Sequence, residues 1–283
     1  MPGPTNVGVV AFDGSAMLID TGLDKEHGRR VLRLLEKNGM ELRAIVNTHS
    51  HADHFGGNEY LVRRTDARVY APEIEAGVIQ HPYLEPLYLF SAHPVSEMMN
   101  RFLMARPSRV DHVVGIEGKG ELEFGSIEAH TVPLRGHSPG QIGVEVDGVL
   151  FCADSVFSES VIEKYRIPLF MDIGRQKGTL EFLGKSSYEL YVPCHAEPTE
   201  DISHLVDVNM SVISRVEEFL LSLSGGTTDE ILRKLCSEFG VKLSSFTEHA
   251  LMLSALKAYL SYLHDRGDYR AEFERTLYWT RVS

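Results

Sequence analysis

Short apolar runs separated by turn-forming residues occupy the first two thirds of the chain. Residues 42–48 contain a β-branched run that predicts a buried strand, followed by a turn at 55–58 and a helix at 59–64. Further strand-like runs recur at 130–134, 149–153 and 189–194. This alternation indicates an α/β fold, in which active sites lie on loops that follow the carboxyl ends of strands.

From about residue 199 the pattern becomes helical. Apolar side chains three or four apart predict a long amphipathic helix: Ile202, Leu205, Val208, Val212, Val216 and Leu220. A break at 224–226 precedes a helix cap at Thr227 or Thr228. Helices over 231–239 and 246–264 and a pair of strands over 268–282 complete the list of predicted C-terminal elements. We therefore expect a larger domain over 1–222 and a small, mostly helical domain over 223–283.

One long insertion, residues 73–112, interrupts the strand pattern and exceeds the length of an ordinary connection. After Pro94, the spacing of four apolar side chains predicts a helix with one apolar face: Val95, Met98, Met99 and Phe102. The insertion either packs on the main fold or forms a partly apolar lid. In the second case Tyr88 and Phe90 would contact substrate.

A second insertion covers residues 157–177 and carries several notable polar side chains: Lys164, Tyr165, Arg166 and Arg175. Cations at such a place could bind a carboxylate or phosphate of a substrate. The alternative is that they are ordinary surface charges without a partner.

The hexapeptide His49-Ser50-His51-Ala52-Asp53-His54 places four side chains of metal-ligand type within six residues. His49 and His51 lie two apart in extended chain, so their imidazoles point to one side and can hold one ion. Asp53 and His54 fall on the following turn and can face a second ion. A solvated polar turn is the alternative, but such turns rarely need three imidazoles and an acid together.

Two coordination spheres need more ligands than the hexapeptide supplies, because a catalytic zinc usually takes three from the protein. Three candidates each follow a strand-like run: His137, Asp154 and His195. Any one of them alone is a weak signal. As an ordered set behind the hexapeptide they are a strong one.

With these motifs in this order, residues 5–220 resemble the metallo-β-lactamase-fold hydrolases, in particular a glyoxalase II-like branch. The resemblance implies a four-layer αββα sandwich of two mixed sheets, with an opening hairpin at 9–12 and 17–22. It also implies that Asp20 is the buried acid that supports the metal loop. The tail resembles the small winged-helix domain of some family members.

The resemblance further implies two groups of metal ligands. The first would be His49, His51 and His137, and the second Asp53, His54 and His195, with Asp154 bridging both ions. The family usually has glycine at two places where this chain has Ala153 and Cys194. Glycine is used where backbone angles or close approach exclude a Cβ, so the geometry near the second ion could differ.

These residues predict a hydrolase with two divalent ions, zinc first, with iron or manganese also compatible with the ligands. A hydroxide bridging the ions would attack a small ester-like substrate, a thioester or a lactone. Asp53 and Asp154 are the candidate catalytic acids, with Asp53 carrying a proton to the leaving group. Alternatives are a single-iron sulfur dioxygenase, a phosphodiester or RNA hydrolase, and a non-catalytic regulatory protein stabilised by metal.

The composition narrows the choice of partners. The 283 residues carry 28 Lys and Arg against 40 Asp and Glu, a net charge of −12 that disfavours nucleic-acid backbones. The tail is charge-balanced and has no basic stripe. We see neither a signal peptide nor a membrane span, and three cysteines at scattered positions suggest a reducing compartment. We therefore expect a cytoplasmic enzyme acting on a small molecule, with no nucleic-acid or membrane partner, as a possible homodimer.

Overall fold

The computed structural model describes residues 1–3, 5–273 and 276–282. Its main body contains two five-stranded mixed sheets, ordered β1-β2-β3-β4-β5 and β10-β9-β8-β7-β6. The strands of the first sheet are β1 (Gly8–Phe12), β2 (Ser15–Ile19), β3 (Glu41–Val46), β4 (Arg68–Pro72) and β5 (His112–Val114). Those of the second are β6 (Gly120–Phe124), β7 (Ile127–Pro133), β8 (Ile142–Val146), β9 (Val149–Phe157) and β10 (Leu190–His195). The opening hairpin, formed by β1 and β2, is present as expected.

The sandwich interior follows from the two-residue period of strand side chains. In β2, Met17 and Ile19 pack inward against side chains of the second sheet such as Val144. Ala16 and Leu18 point the other way and pack on an outer helix, Lys25–Lys37. Each sheet is therefore covered on both faces, which confirms the αββα arrangement.

The helices of the main body lie between these strands in the chain or, for the last of them, after β10, and the longer ones cover the outer faces. They are α1 (Lys25–Lys37), α2 (Ala52–Phe55), α3 (Asn58–Val62), α4 (Glu73–Gln80), α5 (Leu84–Phe90), α6 (Glu159–Tyr165), α7 (Ile173–Lys185) and α8 (Ser203–Ser222). Aspartate side chains cap the amino ends of the two 13-residue helices, Asp24 at α1 and Asp172 at α7.

The C-terminal region continues the chain with β11 (Gly225–Thr227), α9 (Thr228–Phe239), α10 (Phe246–Arg266), β12 (Tyr269–Glu272) and β13 (Tyr278–Arg281). The cap prediction is confirmed at Thr227, which forms a capping box with Glu230. The predicted break at 224–226 separates α8 from α9, and part of it forms β11, which pairs with β13 and makes a three-stranded sheet with β12.

One continuous hydrophobic cluster joins the second sheet, its outer helices and the C-terminal helices, from Leu180 in α7 to Leu256 in α10. Glu217 of α8 adds a polar connection. Its buried carboxylate accepts a hydrogen bond from Lys177 Nζ at 2.9 Å and another from Arg266 Nη1 at 3.3 Å. The division into 1–222 and 223–283 stays a prediction.

Three local predictions near the site were wrong. Asp53 and His54 lie in the short helix α2 and not in a turn, and the segment after Pro94 forms only a single 3₁₀ turn at Ser96–Met98. In that segment Met98 is buried, whereas Phe102 is 59% exposed, so no continuous apolar face forms. Strand β9 does not end at residue 153 but continues to 157, because its pairing with β10 extends that far.

The state of the cysteines and the character of the helices were also predicted from sequence. The three cysteines are free and buried. Within residues 1–3, 5–273 and 276–282, no helix has both the length and the apolar character needed to cross a bilayer.

Candidate metal centre

Strand ends and the segments that follow them bring seven side chains of metal-ligand type together. The hexapeptide begins three residues after β3 ends, and His51 precedes the first turn of α2. His137 lies on the loop between β7 and β8, Asp154 lies within β9, and His195 ends β10. Because β9 and β10 are parallel neighbours, Asp154 and His195 arrive at the same end of the second sheet.

Three imidazoles from the first predicted group converge on one point. His51 Nδ1 lies 3.1 Å from His49 Nε2 and 2.8 Å from His137 Nε2. The three rings are nearly perpendicular to one another, with interplanar angles of 84°, 87° and 89°. Three nitrogen lone pairs therefore approach from three directions, as in a tetrahedral site with one open position.

Hydrogen bonds on the far side of the rings fix which nitrogen faces this point. His137 Nδ1 donates to the Leu169 carbonyl at 2.8 Å, and His49 Nδ1 donates to Thr48 Oγ1 at 3.0 Å. Thr48 Oγ1 in turn donates to Asp20 Oδ2 at 2.7 Å. Both rings therefore keep an unprotonated Nε2 toward the centre, which is the form a metal ligand needs.

The second predicted group, Asp53, His54 and His195, also has its ligand atoms close together. His195 Nε2 lies 3.4 Å from Asp53 Oδ2, and His54 Nε2 lies 3.7 Å from the same oxygen. His54 Nδ1 donates to Asp20 Oδ2 at 2.8 Å, which directs Nε2 to the centre.

Asp154 contacts both groups. Its Oδ2 lies 3.5 Å from His137 Nε2 and 3.2 Å from His195 Nε2, while its Oδ1 lies 3.4 Å from His54 Nε2. This is the position that a bridging carboxylate would occupy. The structure thus brings together all seven predicted ligands.

The electrostatics differ between the two groups. Burial, followed by the charge of His51, lowers the pKa of His137 to about 3, and burial also lowers the pKa values of His49 and His51. These rings are therefore neutral at physiological pH, as ligands must be.

In the second group the carboxylates dominate. Burial alone would lower the pKa of His195, but the carboxylates of Asp154 and Asp53 together outweigh burial and raise the pKa to about 10. Burial alone would raise the pKa of Asp53, yet His54 and His195 hold it below its usual range. The second group therefore attracts positive charge, as a site for a divalent cation should.

Two orphaned atoms support the fit of a metal ion. His54 Nε2 and Asp154 Oδ1 are buried and lie 3.4 Å apart, but neither makes a hydrogen bond within the described part of the chain. A buried polar atom without a partner is costly, so native proteins seldom keep one without a ligand to satisfy it. Both atoms are of the kind that binds zinc, iron or manganese.

Asp20 lies beneath both groups, at the supporting position that the resemblance implied. It accepts hydrogen bonds from the Thr48 amide, from Thr48 Oγ1 and from His54 Nδ1. Its φ of 60° and that of Ala153, 52°, fall in the left-handed region. Ala153 therefore adopts the backbone form that explains the usual glycine, and Cys194 fits with its Sγ 3.8 Å from Asp20 Oδ2.

Several supporting residues were missed by sequence reasoning. Thr5 Oγ1 donates to Asp53 Oδ2 at 2.8 Å, Asn6 binds the carbonyls of Pro193 and Ala196 on either side of His195, and Gln141 accepts from the Asp154 amide. These polar residues belong to no motif, and no pattern in the sequence marks them.

The predicted substrate contacts are not brought together with the ligands as a group. Lys164, Tyr165 and Arg166 are exposed on or just after α6, where Lys164 Nζ lies 3.0 Å from Tyr165 OH. Phe90 packs with α10 in a separate apolar cluster. Tyr88 as a whole residue is 41% exposed, but its hydroxyl end is the buried part. That burial, followed by the negative charges of Glu85 and Glu75, raises the pKa of the hydroxyl.

An αββα sandwich with imidazoles and carboxylates gathered at the ends of its strands is the architecture of the metallo-β-lactamase fold. A family model of the metallo-β-lactamase superfamily matches residues 1–195, and the chain belongs to this superfamily.

Curated relatives and solved structures agree with this assignment. A hydroxyacylglutathione hydrolase of Methylobacillus flagellatus is 31% identical over 144 residues, which cover 51% of this chain and 44% of the relative. A probable metallo-hydrolase of Bacillus subtilis is 27% identical over 161 residues, 57% of this chain and 67% of the relative. The match therefore spans less than half the length of the hydroxyacylglutathione hydrolase.

A metallo-β-lactamase family protein of Thermus thermophilus has a similar structure. The TM-score is 0.76 at 19% identity, and the alignment covers 100% of this chain and 96% of the other. At this identity the likeness shows the fold alone, and it includes the C-terminal region.

Proposed function

We propose that this protein is a binuclear metal-dependent hydrolase acting on a small ester-like substrate, in the first instance a thioester. The observation that carries the proposal is the position of Asp154, whose carboxylate lies within 3.5 Å of imidazoles from both ligand groups. The similarity to hydroxyacylglutathione hydrolases supports a thioester. Lactones are the second class to test.

His49, His51 and His137 would hold one ion, and Asp53, His54 and His195 the other, with Asp154 shared. Two divalent cations about 3.5–4 Å apart supply a nucleophile at neutral pH and stabilise negative charge on an attacked carbonyl. Zinc is our first choice, and iron and manganese suit the same donors.

The chain's own residues would orient the reaction. Asp53 is the one ligand carboxylate with substantial exposure, 32% of its side chain, so it can reach both water and a leaving group. We assign it the transfer of a proton to the leaving group. Thr5 Oγ1 donates to Asp53 Oδ2, the oxygen that faces His195, and would fix the direction of the carboxylate.

The substrate-binding surface is proposed from the exposure and packing of the side chains. Tyr88, on the exposed side of α5, is the candidate we favour, whereas Phe90 packs into a cluster and would act by holding α5 in place. Lys164, Tyr165 and Arg166 stay candidates for contacts with a substrate carboxylate. We further propose a cytoplasmic location, with which the free cysteines are consistent. We propose no nucleic-acid or membrane partner, and either a monomer or a homodimer as the form in solution.

Elemental analysis together with thioester and lactone assays tests the proposal. We expect about two ions per chain and hydrolysis that is lost in Asp53→Asn but kept in Asp66→Asn, a matched change at an exposed position. One iron per chain with oxygen-dependent sulfur chemistry would instead favour a dioxygenase. Equal activity of wild type and Asp53→Asn on every substrate would refute the assigned role.

A further inference from the structure

Glu75 lies in the first turn of α4, inside the insertion, and is buried with 1% of its surface exposed. Its two carboxylate oxygens serve two different loops. Oε2 accepts hydrogen bonds from the amide and from the hydroxyl of Ser50, the amide at 3.0 Å. Oε1 accepts from Ser138 Oγ at 2.8 Å and from the Gly140 amide at 2.7 Å.

The two loops are those that carry the three-imidazole group. Ser50 lies between His49 and His51, and Ser138 directly follows His137. The shortest contact in that group, 2.8 Å between His51 Nδ1 and His137 Nε2, joins the same two loops. The Glu75 carboxylate is thus a bridge between segments that are 86 residues apart in the chain but must hold a common ligand.

The surroundings are shaped for this carboxylate. A Cβ at Gly140 would lie 3.1 Å from Glu75 Cγ and 3.2 Å from Oε1, so glycine permits the close approach of the loop. Four donors compensate the buried charge, which makes the position intolerant of a group that cannot accept from both sides.

We propose that Glu75 is a positioning residue that sets the distance between His51 and His137, and with it the affinity of the three-imidazole site for a metal ion. This inference rests on the proposed function, since it assumes an ion between these rings. It also gives the insertion a role in building the site, separate from any contact with substrate.

Glu75→Gln is the sharpest variant. Its amide retains one accepting oxygen, so it can satisfy one loop while its NH₂ faces the donors of the other. Glu73→Gln, two residues away on the exposed side of the same helix turn, is the matched control. Ser138→Ala removes a single donor and provides a milder variant in case Glu75→Gln folds poorly.

Cobalt(II) and zinc titrations of the full-length protein test the proposal. We expect Glu75→Gln to lower the affinity for one of the two ions about 10–100-fold, because residues that support metal ligands have effects of this size. The visible spectrum of the cobalt form should change as well. Ser138→Ala should shift both readouts in the same direction by less, and Glu73→Gln should match wild type.

The possible failures are distinguishable. If wild type itself binds neither cobalt nor zinc, the proposed function fails. If wild type binds two ions and both Glu75→Gln and Ser138→Ala bind them with unchanged affinity and spectrum, the positioning role of Glu75 is refuted, whatever these variants do to thermal stability.

Discussion

Replacing Asp20 by asparagine tests the support beneath the candidate metal centre. The substitution keeps the shape of the side chain, and asparagine tolerates the left-handed backbone at this position, φ 60°. It removes the charge and converts one oxygen into a donor. The consequences can be worked out from the hydrogen bonds of Asp20.

An asparagine at position 20 can be oriented in two ways. If its oxygen replaces Oδ1 and accepts from the Thr48 amide, its NH₂ faces His54 Nδ1. His54 must then move its proton to Nε2, the atom that should bind the second ion. If the oxygen replaces Oδ2, the buried Thr48 amide is left without an acceptor, which costs about 1–3 kcal/mol.

Either orientation weakens the site. A lost hydrogen bond to a charged group is worth about 1.5–3 kcal/mol, and every 1.4 kcal/mol is about tenfold in affinity. We therefore expect zinc at the His54 group to bind about 10–100-fold more weakly, in keeping with the effect of other residues that support metal ligands. Competition with a chelator, combined with metal analysis, measures this directly.

Asp13→Asn is the matched control, because Asp13 is exposed and also has a positive φ, 44°. It should leave metal binding unchanged. An Asp20→Asn protein that holds two ions with the wild-type dissociation constant and wild-type stability would show that Asp20 does not set the tautomer of His54.

Three further predictions concern stability. Gly56→Ala should destabilise the protein by about 3 kcal/mol, because the new Cβ would lie 1.9 Å from the Leu23 carbonyl oxygen and the backbone would have to move. Gly77→Ala has open space in mid-helix and should stabilise the protein by about 1 kcal/mol. Chemical unfolding compares the two variants, and equal effects on the free energy of unfolding would contradict the clash. Glu217→Ala should lower the free energy of unfolding by about 1.5–3 kcal/mol, because Glu217 loses its hydrogen bonds to Lys177 and Arg266. The same change at exposed Glu218 should lower it by less than about 0.5 kcal/mol. Similar unfolding midpoints for the two variants would disprove the contribution of Glu217. Removing metal with a chelator should lower the melting temperature, and added zinc should restore it in a concentration-dependent way; a melting temperature indifferent to both would speak against a bound ion.

The candidate metal ligands could be proposed from sequence because their chemistry is local. Imidazoles two residues apart after a strand can hold one ion in almost any fold, so the pattern itself carries the meaning. The later ligands each follow an apolar run, and a parallel arrangement such as β9 beside β10 brings the ends of those runs together. The same alternation indicated an α/β fold, whereas the four-layer αββα sandwich was implied by the resemblance to the family.

Helical periodicity was a weaker guide in the insertion. Val95, Met98 and Phe102 have the spacing of one helix face, yet only Met98 is fully buried, and a single 3₁₀ turn forms there. Spacing predicts which side chains could share a face, but packing against α10 decides which of them are covered. That packing partner lies in the C-terminal region of the chain, beyond the reach of any local window.

Glu75 shows the same limit at the site itself. An acid in the first turn of a helix is expected for electrostatic reasons alone, and Glu73 satisfies that expectation equally well. What separates the two is that Glu75 faces Ser50 and Ser138, 25 and 63 residues away. Ligands follow from the chemistry of a motif, but the groups that hold them at the right separation follow from the assembled fold, which is why the structure was needed to find Glu75.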